Sequence, residues 1–230
     1  IESDITDILK KLQELVGDSI SINTDPEHDD VYIDLSNLDF NKLKELFEKQ
    51  SANKMVYDLQ QAIEIKLKQM LAKNPIRLEF YNKYQKIIQE YNDGKDAEAI
   101  LKAFEELVKF INEMNEEEQR STREELDEET LAIYDLLRKD KLTKEEEDIV
   151  KKIAKETLTK LKAEKLRIER WRESTQISAQ VKIMISDNLM YLPKARYEPE
   201  EVKDKSIVVY QHIYSNYYGG GASIYNSFAA

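Results

Sequence analysis

The apolar residues Ile100, Leu101, Phe104, Leu107, Val108, Ile111 and Met114 recur at steps of three and four, so they fall along one side of a helix. A half-buried strand would need steps of two. The same helical spacing runs through Met55, Val56, Leu59, Ile63, Leu67, Met70 and Leu71, and through Leu78, Tyr81, Tyr84, Ile87, Ile88 and Tyr91. It returns in Val150, Ile153, Ala154, Leu158 and Leu161, and in Val181, Ile185 and Leu189. Each segment has one apolar stripe and a wide solvated face, which reconciles 35% charged residues with 41% hydrophobic ones. With 5 Gly and 4 Pro in 230 residues, turn signals are too sparse for a many-stranded sheet. The chain is predicted to be all-α, a multi-helix bundle, with one short strand or extended segment near residues 31–35, where Val31 to Leu35 alternates weakly.

Local signals set the boundaries. Ser3 is placed to cap a helix over Ile5, Ile8, Leu9, Leu12, Leu15 and Val16 that ends at Gly17, and the polar stretch Ser19 to Asp30, with Asp25-Pro26, reads as a linker. Asp39 is an N-cap candidate ahead of Leu43, Leu46 and Phe47. Asn74-Pro75 stops one helix and starts another, which ends at Asn92-Asp93-Gly94. After a mostly acidic stretch, Glu113 to Glu129, a short helix carries Leu131, Tyr134 and Leu137. Thr143 and Glu146 form a capping box that opens a long helix, expected to extend past Trp171. Leu192-Pro193 ends the next helix, and the last starts at Pro199 and includes Val202, Val209 and Ile213. The expected organisation is a helical end plus linker over 1–30, a helical domain over 31–218 and a flexible tail over 219–230.

Composition excludes several classes. Without cysteine there are no disulfides or thiolate metal sites, which is compatible with a reducing cytoplasm. No apolar run approaches the roughly 20 residues of a membrane span. The start, Ile1-Glu2-Ser3-Asp4, has neither an initiator Met nor a signal-peptide layout and reads as that of an excised piece. The net charge of −11 disfavours a dedicated nucleic-acid-binding domain, although an average hides local patches.

The chemistry-bearing residues do not assemble into a catalytic pattern. A phosphate-binding loop needs glycines followed by Lys and a hydroxyl, but Gly219-Gly220-Gly221 is followed by Ala222-Ser223. His28 and His212 are too far apart in sequence to suggest a zinc site, and His212 reads as a packed or hydrogen-bonded residue. Glu116-Glu117-Glu118 reads as a solvated face before a cation site, because adjacent helical residues diverge. No residue is nominated as catalytic, cofactor-binding or metal-ligating, and the chain by itself is expected not to be an enzyme.

One electrostatic feature stands out. Between Lys151 and Glu173 nine cations (Lys151, Lys152, Lys155, Lys160, Lys162, Lys165, Arg167, Arg170, Arg172) face four glutamates, a local excess of five positive charges. A solvated helix face is the favoured reading, and a patch for DNA phosphates or an acidic partner the sharper one. Trp171 and the tyrosines 210, 214, 217 and 218 likewise read first as packing and second as interface residues. The candidate partner or DNA contacts are therefore Lys160, Lys162, Lys165, Arg167, Arg170, Trp171, Arg172, Tyr217 and Tyr218.

The order of several stretches carries a resemblance. They are Ile33-Asp34-Leu35-Ser36-Asn37-Leu38-Asp39-Phe40; Ala62 to Asn92 around Asn74-Pro75; Asn115-Glu116-Glu117-Glu118-Gln119-Arg120; Leu142 to Leu166 with Leu161-Lys162-Ala163-Glu164-Lys165-Leu166; and Val209-Tyr210-Gln211-His212-Ile213-Tyr214, ending in Tyr217-Tyr218-Gly219. In this order the chain resembles the C-terminal helical region of the R (restriction and motor) subunit of type I restriction-modification enzymes.

That resemblance implies a cytoplasmic parent that is an ATP-dependent type I site-specific deoxyribonuclease, with ATP and Mg used by other domains and no cofactor in this part. It implies a docking role toward the modification (methyltransferase) and specificity subunits, with DNA present in the assembled enzyme and no membrane. Arg170-Trp171-Arg172-Glu173-Ser174 is less basic than the resemblance leads one to expect, which counts against direct DNA contact. A helical domain touching translocated DNA and an unrelated structural helical protein remain the alternatives.

Overall fold

The computed structural model describes residues 22–24, 31–33, 52–94 and 96–226. Eight α-helices lie among them: α1 (Ala52–Lys73), α2 (Leu78–Asp93), α3 (Ala97–Glu118), α4 (Arg120–Arg123), α5 (Glu128–Leu137), α6 (Lys144–Leu161), α7 (Thr175–Leu189) and α8 (Pro199–Asn216). The fold is all-α, as the periodicity predicts. The helices expected over Ile5 to Val16 and after Asp39 lie outside the described residues.

Strand structure is more extensive than one segment near 31–35. Strand β2 (Val31–Ile33) pairs antiparallel with β1 (Ile22–Thr24), Ile22 opposite Ile33, inside the stretch that reads as a linker. A second two-stranded pair, β3 (Tyr217–Gly219) with β4 (Ala222–Ser223), occupies the start of the expected loose tail, and Ser223 within it and Tyr225 beyond it are buried. Glycine makes this turn possible, since Gly219, Gly220 and Gly221 all have positive φ (102°, 63° and 83°).

The chain divides into two compact units, with a boundary inside the span expected as one domain: Ile1–Leu71 with Arg77–Arg120, and Ala72–Ile76 with Ser121–Ala230. In the first, α1, α2 and α3 share a core of which Leu59, Ile63, Phe104, Leu107, Phe110 and Ile111 are almost wholly buried. Asp96 opens α3 by accepting from Ala99 N at 2.8 Å. Gly94 ends α2 in an extended conformation, φ −98°, rather than a left-handed cap. Its need for glycine is spatial, because a Cβ there would lie 2.4 Å from that of Ala99.

The acidic run of α3 is not the solvated face expected of it. Glu118 pairs with the buried Lys66 at 2.7 Å, and Glu117 with Arg77 at 3.0 Å and Arg120 at 3.1 Å. Cations removed from water require carboxylates beside them, and these glutamates supply them.

The second unit is built around α5, buried on every side from Thr130 to Leu137. The sequence Leu131-Ala132-Ile133-Tyr134-Asp135-Leu136-Leu137 is apolar all round apart from Asp135, whose Oδ2 accepts from the buried Asn74 Nδ2 at 2.6 Å. Helices α6, α7 and α8 complete the core with Val150, Leu161, Val181, Ile185, Leu189, Val209 and Ile213. Helix starts follow local chemistry: Asp127 accepts from Thr130 N, Thr143 and Glu146 form the expected capping box, Ser174 accepts from Ile177 N, and Pro199 opens α8.

Candidate interaction surface

Helix α6 does not run past Trp171. Its end loosens into a π-helical turn, Lys162–Leu166, and the chain then reverses through Arg170, a non-glycine residue at φ 52°. With this reversal Trp171 sits in the core, fully buried, with Nε1 donating to the Tyr217 carbonyl at 3.1 Å and the ring edge-on to Tyr214. Tyr217 is also interior, and its hydroxyl donates to Glu129 Oε2 at 2.8 Å. Burial, with Tyr225 and Glu129 nearby, pushes the phenol pKa well up. Both rings are interior side chains of the second unit.

The cations of this stretch are held in different ways. Lys151 lies 2.7 Å from Glu124, a hydrogen bond that raises its pKa, and Lys162 reaches both oxygens of Glu129 at 3.0 and 3.1 Å. Carboxylates neutralise these two charges. Lys160 donates to Asn188 Oδ1 at 2.7 Å and Lys165 to Gln180 Oε1 at 2.9 Å. An amide is neutral, so both ammonium groups are fixed against α7 without being neutralised by it. Arg172 donates to the Tyr214 carbonyl at 3.2 Å and lies 5.1 Å from the Tyr218 ring centroid, a cation–π geometry. Arg170 reaches Glu173 only at 4.0 Å, and Arg167 is exposed.

Lys160 and Lys165 edge a surface groove of about 930 Å³ that follows α7 into the turn at Met190 to Lys194. Its apolar lining includes Ile183, Met190 and Tyr191, which are 59%, 63% and 77% exposed. Lys194 adds a third cation against one carboxylate, Asp187. The helical spacing of Val181, Ile185 and Leu189 marks the core stripe of α7 and leaves this face unmarked. Its signal was present: at 100° per residue Ile183 stands about 200° from Val181, an apolar side chain on what should be the solvated side.

His212 resolves as the hydrogen-bonded residue it was expected to be. Tyr225 donates its hydroxyl hydrogen to the Lys73 carbonyl at 2.5 Å, so His212 Nε2 donates to Tyr225 at 3.0 Å, while Asn216 Nδ2 donates to Nδ1 at 2.9 Å. The ring is neutral, and burial lowers its pKa to about 4. Among the described residues no group of three or more His, Cys, Asp or Glu is placed to hold a metal ion, and no helix is long and apolar enough to cross a membrane.

No curated protein and no solved structure matches the chain. A family model described as type I restriction enzyme HindI endonuclease subunit-like, C-terminal, matches it over residues 3–215. Nearly the whole chain lies within that match, so it belongs to the family formed by the C-terminal region of HindI-like type I restriction enzyme endonuclease subunits.

Proposed function

We propose that this chain is the non-catalytic docking module of a cytoplasmic type I restriction endonuclease subunit. In this reading it holds the ATP-dependent, DNA-translocating and DNA-cleaving parent on the modification and specificity subunits, in defence against foreign DNA. The observation that carries the proposal is the exposure of Ile183, Met190 and Tyr191 on a unit with a well-filled core of its own. Clustered apolar side chains of this size on a surface mark contact sites. Direct DNA contact draws less support, since Lys151 and Lys162 are neutralised by Glu124 and Glu129.

The test is removal of this region from the full parent subunit, followed by size-exclusion chromatography with the modification and specificity subunits. Loss of the joint peak, with the remaining domains folded by circular dichroism, is the expected result. Assembly of the truncated subunit at wild-type affinity refutes the reading.

A further inference from the structure

We infer that the groove along α7 and the Met190 to Lys194 turn receives an acidic segment of the modification–specificity complex, one that sets large apolar side chains among Ile183, Met190 and Tyr191 and carboxylates against Lys160, Lys165 and Lys194. The inference rests on the docking reading and deepens it by naming the surface and the chemistry of its occupant.

Charge complementarity selects an acidic occupant. In a chain of net charge −11, this groove gathers three lysines against the single carboxylate of Asp187. Lys160 and Lys165 are anchored by the amides of Asn188 and Gln180, so their ammonium groups are already ordered and still attract carboxylates. Order present before binding lowers the entropy lost when a partner arrives. Had glutamates held these lysines, as Glu129 holds Lys162, the rim would be electrostatically satisfied.

The apolar lining selects protein over nucleic acid. A phosphate backbone satisfies lysines but leaves Ile183 and Met190 facing solvent. An apolar side chain flanked by Asp or Glu covers both features at once. Tyr191, among the described residues the most exposed of the large apolar side chains, is of a type that concentrates binding energy at interfaces.

The experiment uses the full parent subunit and the purified modification–specificity complex. Tyr191 is replaced by p-benzoylphenylalanine, the assembly is photo-cross-linked, and the captured peptide is sequenced. In parallel, dissociation constants are measured for wild type, for Met190→Ala with Tyr191→Ala, and for Lys194→Glu. All three positions are exposed, so the fold is retained, and circular dichroism checks this. The expected results are an Asp/Glu-rich captured peptide with large apolar residues and a dissociation constant raised at least tenfold by the apolar pair. Lys194→Glu should weaken binding more at low salt than at high salt. A cross-link to DNA, to a basic peptide or to a second copy of the chain overturns the inference. So do unchanged constants in the variants while wild type binds normally, an outcome that leaves the docking reading standing. Failure of wild type to bind through this region instead defeats the docking reading, and the groove assignment with it.

Discussion

The indole Nε1 of Trp171 donates to the backbone carbonyl of Tyr217 at 3.1 Å, joining the turn after α6 to strand β3 across 46 residues of sequence. Both partners are buried, so the bond forms out of competition with water. It is the closing contact of the second unit: one side holds the π-helical end of α6, the other the start of the glycine hairpin.

Trp171→Phe should therefore destabilise the second unit. The Tyr217 carbonyl loses this donor inside the core, a change of about 1–3 kcal/mol, and the smaller phenyl ring leaves a cavity that adds to it. Urea denaturation followed by circular dichroism measures it. Trp171 is the chain's one tryptophan, so its emission in wild type should be blue-shifted and should follow the melting of this unit. An unchanged midpoint in the variant, or a solvent-exposed emission maximum in wild type, would show that the indole is not held as described.

The hairpin glycines separate two causes of strain. Gly219 has φ 102°, and a Cβ there would meet the Ile168 carbonyl at 2.9 Å and Arg170 N at 3.1 Å. Gly221 has φ 83°, with nothing within 4 Å of such a Cβ. Gly221→Ala should cost about 1 kcal/mol for the left-handed backbone alone. Gly219→Ala should cost about 2–3 kcal/mol, because backbone atoms must also move. Equal losses in thermal melts of the two variants would mean that the close approach of β3 to the 168–171 turn does not constrain the fold.

What the sequence discloses here follows the range of the interaction responsible. The capping box at Thr143 and Glu146 and the opening proline of α8 act within a single turn, so spacing alone finds them. The α7 core stripe of Val181, Ile185 and Leu189 is legible for the same reason. The partner of Val31–Ile33 is set by non-local pairing with Ile22–Thr24, and Asp25-Pro26 reads locally as nothing more than a loop. The reversal at Arg170 has no local marker, because the left-handed residue is an arginine and tertiary packing of Trp171 imposes it. As a result, two of the nine residues nominated for contact turned inward. The groove's Ile183 was readable as an out-of-phase apolar residue, whereas the neutral anchoring of Lys160 and Lys165 depends on the side chains that α7 brings opposite them.

His212 should make stability fall with acid at an unusually early point. Its pKa is near 6.5 in an unfolded chain and about 4 in the folded one. Because the folded value is depressed, the unfolded chain takes up the proton first as pH drops. Stability is complete above pH 6.5 and declines between 6.5 and 4, by about 3 kcal/mol in all. The range from pH 6.5 to 5 lies above most carboxylate titrations, so the histidine dominates there. Urea midpoints across that range should slope downward toward acid in wild type and flatten in His212→Gln. Parallel curves would assign the acid sensitivity elsewhere.

Lys162 shows why charge reversal within the basic stretch must be read through the fold. Its ammonium sits between the two oxygens of Glu129, and Glu129 also accepts from Tyr217. Lys162→Glu sets two carboxylates against each other at the junction of α5, α6 and β3. A loss of about 1 kcal/mol is expected for so partly exposed a pair. Arg167→Glu, on an exposed side chain, should change stability by less than about 0.5 kcal/mol. Weakened assembly in Lys162→Glu is thus ambiguous by itself, and the exchanged pair Lys162→Glu with Glu129→Lys removes the ambiguity by restoring attraction across the junction. Thermal melts should show the exchange recovering the electrostatic part of the loss but not all of it, because Glu129→Lys also removes the acceptor of the Tyr217 hydroxyl, and size-exclusion assays should show it assembling like wild type. If the exchanged protein is stable yet fails to assemble, Lys162 meets the partner directly, and the interface extends beyond the groove along α7.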